Sequence, residues 1–109
     1  MSELKLWVDD VRPAPNGYTW RKSVDSTKET IVYFEYIKSI DPDARFNIEL
    51  IDIDHDAGDY AFDGGDYIKL LDWLEDTGRN YPIRIHSQNP VGAANMRRII
   101  QRNGWREVF

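Results

Sequence analysis

The residues best suited to chemistry lie where an apolar run gives way to charge. The segment from Phe46 to Ile53 is rich in Ile and Leu, and Asp54, His55 and Asp56 follow it directly. Asp is a poor strand former, and polar groups of this kind cannot be buried unpaired at low cost. We therefore interpret the run as a buried strand and the polar residues as the loop at its carboxyl end, where open α/β sheets bind ligands.

A second pair of carboxylates follows another short apolar segment. Leu4 to Val8 runs directly into Asp9 and Asp10. Like charges that meet at a strand end disfavour each other's ionised form unless a cation or a hydrogen-bonding network relieves them. Oxygen ligands of this kind suit Mg²⁺, which keeps waters and binds substrate phosphate. We predict Asp9, Asp10 and Asp54 as Mg²⁺ ligands, with loop capping by each aspartate as the alternative.

The two histidines each follow a predicted strand, at residues 46–53 and 82–85. Two imidazoles on one rim can divide the acid and base roles at a phosphodiester, because one activates water while the other protonates the leaving oxygen. His55 and His86 are the predicted catalytic pair, and Asp54 either orients them or holds the metal. Structural hydrogen bonding by each ring is the alternative.

A phosphate receptor is predicted beside His86. Asn89 has the character of an N-cap, and Pro90 that of a first helical residue. The helix that they begin would offer unpaired N–H groups to an anion. Ser87 and Asn89 are therefore predicted to bind phosphate, and Arg12 to add a bidentate clamp. The alternatives are a simple cap for Asn89 and a surface ion pair for Arg12.

The elements that must position these groups alternate along the chain. Strands are predicted at residues 4–8, 18–24, 46–53, 82–85 and 105–109, and helices at 26–40, 66–77 and 90–103. Residues 14–17 are turn-forming and too few for a first crossover helix. Right-handed crossovers then predict a mainly parallel sheet whose polar strand ends converge on one edge.

Helical spacing predicts which helix faces are buried. Ser26 and Glu29 match a capping box for the first helix. The predicted packed stripes of the three helices are Tyr33, Tyr36, Ile37 and Ile40; Tyr67, Leu70, Leu71 and Leu74; and Met96, Ile99 and Ile100. Further core residues are predicted at Trp7, Trp20 and Trp73. Tyr60 and Phe62 lie in an acidic loop, where one of them could stack on a base or a ring.

Composition bounds the class of protein. The 109 residues, 41% of them hydrophobic, predict one globular domain over residues 1–109. The chain has no membrane-length apolar run, no leader-like segment and no Cys, so we expect a cytoplasmic protein without a thiol nucleophile. The net charge is −10 over residues 1–78 and +5 over residues 79–109. That split disfavours binding along a nucleic-acid backbone.

The ordered motifs resemble those of two-component receiver domains. Asp9-Asp10, Asp54 and His86-Ser87 stand at strand ends like the acidic pair, phosphoacceptor and hydroxyl residue of a receiver. His55-Asp56 replaces hydrophobic residues there, and residues 105–109 lack the lysine that receivers carry. The closer resemblance is to the receiver-like family proposed to process cyclic phosphates, through three motifs: Asp9-Asp10-x-Arg12, Asp54-His55-Asp56 and His86-Ser87-x-Asn89-Pro90-x-Gly92-x-x-Asn95-Met96.

This resemblance implies an α/β, receiver-like or flavodoxin-like three-layer sandwich with a five-stranded, mainly parallel sheet, its first crossover helix and last helix reduced or missing. It also implies a small phosphoesterase that acts on a cyclic-phosphate-containing nucleotide or ADP-ribose derivative, and it adds Asn95 to the substrate-binding residues. The alternative is a non-catalytic module that binds a nucleotide or phosphate, or a degenerate receiver that binds a partner protein.

Overall fold

The computed structural model describes residues 2–43 and 46–109. Within these ranges the strands are β1 (Ser2–Val8), β2 (Tyr18–Arg21), β3 (Phe46–Ile53) and β4 (Ile83–Ile85). The helices are α1 (Val24–Ile40), α2 (Ile68–Asp76) and α3 (Pro90–Asn103), with a 3₁₀ turn at Gly58–Tyr60. None of the helices in these ranges combines the length and the apolar character that crossing a bilayer requires.

The four strands are parallel and lie in the order β2-β1-β3-β4. Parallel neighbours cannot be joined by a tight hairpin, so the chain between them must cross the sheet. Helix α1 makes the crossover from β2 to β3, and α2 makes the one from β3 to β4. Residues 9–17 connect β1 to β2 without a helix, as their turn-forming sequence predicts.

The predicted fifth strand, at residues 105–109, is reduced to an isolated bridge, so the described sheet has four strands rather than five. Ile83 pairs with Glu107 in parallel. The Ile83 amide donates to Arg106 O at 3.0 Å, and the Val108 amide donates to Ile83 O at 2.8 Å. Because β4 is only three residues long, it presents few backbone groups to a further strand.

The hydrophobic core lies on one face of the sheet. It joins residues of all three helices to the following strand residues: Leu6, Val8, Ile51, Ile53 and Ile83. Right-handed crossovers that step in one direction along a sheet place their helices on the same face. As predicted, the described residues contain neither a first crossover helix nor a helix after residue 104. The opposite face carries Trp7 and Asp52, and both of them contact Tyr18 and His86.

Helix α1 differs from its prediction in both cap and buried face. The capping box consists of Ser23 and Ser26, not Ser26 and Glu29, so the N-cap lies three residues earlier than predicted. The predicted stripe is wrong at Tyr33, Tyr36 and Ile40, which are exposed. The buried side of α1 instead carries Val24, Thr27, Thr30 and Ile31. Threonine can be buried there because its hydroxyl donates to the preceding turn, as Thr27 does to Ser23 O at 2.7 Å.

Helices α2 and α3 bury the stripes that their spacing predicts, since Tyr67, Leu70, Leu71, Leu74, Met96, Ile99 and Ile100 are all buried. The cap predicted for α3 is also confirmed, because Asn89 accepts a hydrogen bond from the Gly92 amide at 3.0 Å. Gly104 ends α3 in the left-handed conformation, at φ 66°. The Asn89 cap, four residues after the end of β4, therefore fixes the start of α3.

Candidate functional site

Three strand ends meet at the carboxyl edge of the sheet. The Asp54 amide donates to Val8 O at 2.9 Å, and the His86 amide donates to Ile53 O at 3.0 Å. Because β1, β3 and β4 are adjacent and parallel, the residues that follow them emerge side by side. The structure brings together Asp9, Asp54 and His86, whose potential ligand atoms all lie within 4.8 Å of one another.

His86 is held between two carboxylates. Its Nδ1 lies 2.7 Å from Asp52 Oδ1, and its Nε2 lies 2.9 Å from Asp9 Oδ2. Both aspartates are fully buried. An ionised carboxylate can only accept a hydrogen bond, so both contacts are hydrogen bonds at once when each ring nitrogen carries a proton. The geometry therefore favours an imidazolium clamped between two aspartates.

The indole of Trp7 fixes the plane of that imidazole. The two ring centroids are 3.8 Å apart, and the planes differ by only 4°. Trp7 Nε1 also donates to Arg12 O at 2.8 Å, which ties the indole to residues 9–17. Trp7 and Trp20, both predicted as core residues, lie half-buried outside the hydrophobic core. A stacked aromatic face stabilises a cationic ring, so Trp7 belongs to the candidate site.

Both carboxylate oxygens of Asp9 have hydrogen-bond partners. Oδ1 accepts from the amides of Val11 at 3.0 Å and Arg12 at 2.9 Å. Burial acts to raise the pKa of Asp9, but these hydrogen bonds, the contact with His86 and the charge of Arg12 outweigh it, so the pKa lies below its ordinary value. Asp9 is thus a stable anion opposite Nε2 of His86.

Arg12 contacts the residues that follow β1, β3 and β4. Its Nη1 donates to His86 O at 3.2 Å, and its Nη2 donates to Asp54 Oδ2 at 3.3 Å. Its Nε lies 3.3 Å from Asp9 Oδ2. The side chain remains 40% exposed, so the guanidinium is accessible from solvent. The structure therefore places a cation at the mouth of the site, while its role as a phosphate clamp stays a prediction.

Magnesium ligation by Asp9, Asp10 and Asp54 also stays a prediction, and the geometry supplies only part of that set. In the described part of the chain, Asp10 does not belong to the compact group that contains Asp9 and Asp54. Burial and the charges of neighbouring carboxylates raise the pKa of Asp10. Arg12 lies within 3.3 Å of Oδ2 of both Asp9 and Asp54, so a metal ion between them would have to displace the guanidinium.

His55 is held less tightly than His86. Its Nδ1 lies 2.7 Å from Oδ1 of Asp56, whose side chain is 61% exposed. The ring packs on the first turn of α3, where a Cβ at Gly92 would lie 2.4 Å from His55 Cγ. Within residues 2–43 and 46–109, no hydrogen-bond partner lies at Nε2 of His55. His55 therefore keeps a ring nitrogen for proton transfer.

Of the residues predicted to bind phosphate, Ser87 and Asn89 lie at the start of α3, whereas Asn95 lies further along that helix. Ser87 Oγ accepts from the Asn89 amide at 3.0 Å, and Asn89 Oδ1 accepts from the Gly92 amide. These contacts leave the Ser87 hydroxyl proton and the Asn89 side-chain amide for another acceptor. Asn95 Oδ1 accepts from Arg98 Nη1 at 2.8 Å within α3. No contact among the described residues brings Asn95 to the strand ends.

Asp52 is a site residue that the sequence analysis missed, although a signal was present. It is a carboxylate within the apolar stretch from Leu50 to Ile53, two positions before Asp54 and therefore on the same sheet face. Besides His86, it lies 3.4 Å from both Tyr18 Oη and Arg84 Nη1. A buried charge needs partners, so Asp52 by itself indicates a donor or cation opposite it.

Comparison with known proteins supplies the family. The cyclic-phosphate processing receiver domain matches residues 4–102, which include every residue of the candidate site. No curated protein and no solved structure gives a significant match. The matched region covers nearly all of the parallel sheet and its three helices, in the strand order of receiver-like folds. The chain therefore belongs to the cyclic-phosphate processing receiver domains.

Proposed function

We propose that the chain is a small phosphoesterase that hydrolyses a cyclic phosphate ester at this rim. Membership of a cyclic-phosphate processing family supports the class of substrate. The observation that carries the proposal is the placement of His86 between Asp9 and Asp52. A protonated imidazole in one fixed orientation is what a general acid requires. The proposed bearer of the cyclic phosphate is a nucleotide or an ADP-ribose derivative.

The phosphate is bound between Arg12 and the start of α3. Arg12 contributes an accessible guanidinium. Ser87 and Asn89 contribute neutral donors, and the Val91 amide belongs to the first helical turn, whose N–H groups lack intrahelical acceptors. The buried carboxylates of the rim repel an anion, so these donors hold the phosphate to one side of them.

Two proton transfers complete the hydrolysis. His55 Nε2 takes a proton from a water molecule as the water oxygen attacks phosphorus. The bond from phosphorus to one ester oxygen breaks, and His86 gives its Nε2 proton to that oxygen. The product is a phosphate monoester, with His55 protonated and His86 neutral, and exchange with solvent restores both rings. Asp52 keeps the Nδ1 proton of His86 in place throughout.

Assistance by Mg²⁺ is a separate part of the proposal. When bound, a divalent ion would neutralise charge on the phosphate oxygens. Asp9 and Asp54 would hold it in place of Arg12, while Asp10 would have to move toward them. Removal of divalent ions with EDTA should lower the rate, and added Mg²⁺ should restore it. A rate that EDTA leaves unchanged contradicts this part of the proposal and leaves the roles of the histidines untouched.

A panel of 2′,3′-cyclic and 3′,5′-cyclic nucleotides tests the activity. We expect wild-type protein to convert at least one of them to a monoester. His55→Ala and His86→Ala should each lower kcat by about 10²- to 10⁴-fold, the usual contribution of a general acid or base. Phe109→Ala, a change at a 90% exposed residue, is the control for substitution as such. Turnover that is unchanged in both histidine variants would exclude the proposed roles.

Ligand binding without hydrolysis is the second candidate function, and one observation favours it. Both ring nitrogens of His86 already contact carboxylates, so a substrate must replace Asp9 before it can receive the proton. Calorimetry with the same nucleotides separates the two functions, because tight binding without product favours the binding module. Transfer of phosphate to Asp54 from a small donor, detected by mass spectrometry, would instead support the degenerate receiver.

A further inference from the structure

A group of aromatic rings near the rim has no part in the proposed hydrolysis. Tyr60 and Phe62 stack with their centroids 6.3 Å apart and 28° between their planes. Lys22 Nζ lies 4.6 Å from the centroid of the Trp20 ring and 5.7 Å from that of Tyr60. Phe62 is 84% exposed. We call Trp20, Lys22, Tyr60 and Phe62 the aromatic subsite.

Two contacts connect the aromatic subsite to Asp9 and Asp10. Trp20 Nε1 donates to Asp9 O at 2.7 Å. The 3₁₀ turn that carries Tyr60 begins at Gly58, and a Cβ there would lie 2.2 Å from Asp10 Oδ2. Glycine is required at this position by that approach and by its φ of 53°. Both chain segments that carry the rings therefore touch the residues that follow β1.

The segment that presents Tyr60 and Phe62 is anchored at both ends. The Ala57 amide donates to Asp66 Oδ1 at 3.0 Å. On the other side, Ser23 Oγ donates to Asp63 Oδ2 at 2.6 Å, and the Asp25 amide donates to Asp63 O at 3.1 Å. A single exposed apolar side chain is ordinary on a protein surface. Three rings and a lysine on a pre-ordered backbone form a platform that a planar ligand can occupy at low entropic cost.

We propose that the aromatic subsite binds the base of a nucleotide whose phosphate lies at Arg12 and the start of α3. The position of the phosphate rests on the proposed function. Stacking on exposed rings binds a base through its π-face, and the Lys22 ammonium adds a cationic edge. Asp10, which approaches Gly58, and the exposed Asp59, which precedes Tyr60, carry carboxylates that can accept hydrogen bonds from exocyclic amino groups but repel phosphate. This polarity orients the nucleotide, with its base on the acidic and aromatic side.

Two pairs of small molecules that differ in the base test this assignment. Binding is measured by calorimetry with adenosine 2′-monophosphate and with glycerol 2-phosphate. Kinetics are measured with adenosine 2′,3′-cyclic phosphate and with glycerol 1,2-cyclic phosphate. We expect the adenosine compound of each pair to show at least a tenfold lower Kd or KM. Equal values for the two compounds within a pair, or no binding of either monophosphate at millimolar concentration, would overturn the assignment.

Substitutions at Phe62 identify the residue responsible. Phe62→Leu should raise the Kd of the adenosine compound about tenfold, in the range known for base stacking on an aromatic ring, and leave that of the glycerol compound unchanged. Phe62→Trp should keep the wild-type value, because it restores a stacking surface. Phe109→Ala, at an equally exposed ring, should change neither Kd. Equal weakening of both compounds by Phe62→Leu would contradict a role in base recognition.

The binding and kinetic measurements separate this inference from the proposed function. Base-dependent binding without any turnover overturns the enzymatic proposal and supports the aromatic subsite. Turnover that does not depend on the base supports the enzyme and overturns the aromatic subsite.

Discussion

Two charged clusters in this protein differ in how their charges are balanced. The rim cluster consists of Asp9, Asp10, Asp52, Asp54, Arg12 and His86. The junction cluster, which ties α1 to the segment between α2 and β4, consists of Glu35, Arg79 and Tyr81. In the junction cluster, Arg79 donates to both oxygens of Glu35, and Tyr81 donates to the same carboxylate. One anion there meets one cation, whereas four carboxylates in the rim cluster meet the guanidinium groups of Arg12 and Arg84 and the imidazole of His86.

The pKa of Asp10 in the rim cluster is shifted in the opposite direction to that of Glu35 in the junction cluster, whereas the pKa of Asp9 is lowered as that of Glu35 is. Burial acts to raise the pKa of Glu35, but the hydrogen bonds from Arg79 and Tyr81 outweigh it, so the pKa falls below its ordinary value. For Asp10, burial raises the pKa and the neighbouring carboxylates add to the effect. Sites that wait for a ligand commonly carry such unrelieved charge at a cost in stability. A change that disturbs His86 in the rim cluster should therefore affect activity, removal of the charge of Asp10 should raise stability, and changes in the junction cluster should lower stability.

The largest expected effect in this comparison belongs to Asp52→Asn. The substitution keeps the shape of the side chain but removes the charge that orients His86 through its Nδ1. We expect kcat for a cyclic nucleotide to fall about 100-fold with little change in KM, and the Nδ1 proton resonance of His86 to shift in NMR spectra. Asp56→Asn, at the exposed partner of His55, should cost severalfold less. Wild-type kcat in Asp52→Asn would contradict the positioning role of the carboxylate.

Gly92→Ala should have the next largest effect, through His55. The new Cβ would lie 2.4 to 2.7 Å from three ring atoms of His55, so the imidazole must move. The higher helix propensity of alanine offsets only part of the cost of this overlap, so the melting temperature should fall slightly while the rate drops about tenfold. Val91→Ala, at an exposed neighbour in the same turn, should leave the rate unchanged. Full activity in Gly92→Ala would show that the observed position of the ring is not needed.

Glu35→Gln should affect stability alone. Because the pair with Arg79 is partly exposed, we expect the free energy of unfolding at pH 7 to fall by only about 1 kcal/mol. The lowered pKa means that this stabilisation is present above the ordinary value of 4.5 and is lost as the pH falls through the folded-state value. Urea unfolding at pH 7 and pH 3 measures the difference. A large loss of activity in the folded variant would contradict the assignment of the junction cluster to stability alone.

Asp10→Asn should have the smallest effect, and it should be stabilising. A carboxyl group whose pKa is raised on folding costs stability as the pH rises through that pKa. The neutral amide removes this cost, so the melting temperature at pH 7 should rise by about 2 to 4 °C, and the gain should vanish at pH 3. Asp59→Asn removes a weaker source of the same repulsion and should give a smaller rise. A lower melting temperature in Asp10→Asn would show that hydrogen-bond donors or cations compensate the charge of the Asp10 carboxylate.

Local sequence patterns predicted some elements well and failed for identifiable reasons. The N-cap at Asn89 and the stripe around Leu70 and Leu71 follow from contacts within a few residues, which helical spacing expresses directly. The face of α1 was assigned wrongly because Thr27 is buried with its hydroxyl bonded to the backbone, a use that hydropathy does not register. The fifth strand was overestimated because residues 105–109 pair only with the short β4.

The sequence by itself determined the alternation of strands and helices, the polar residues after β1, β3 and β4, and the family to which the motifs belong. Only the tertiary structure decided that His86 lies between Asp9 and Asp52, which are 77 and 34 positions away from it along the chain. The physical reason is that such contacts depend on strand order and register, which place distant residues opposite one another. Residue type can indicate that Asp52 needs a partner, but the sheet selects which one.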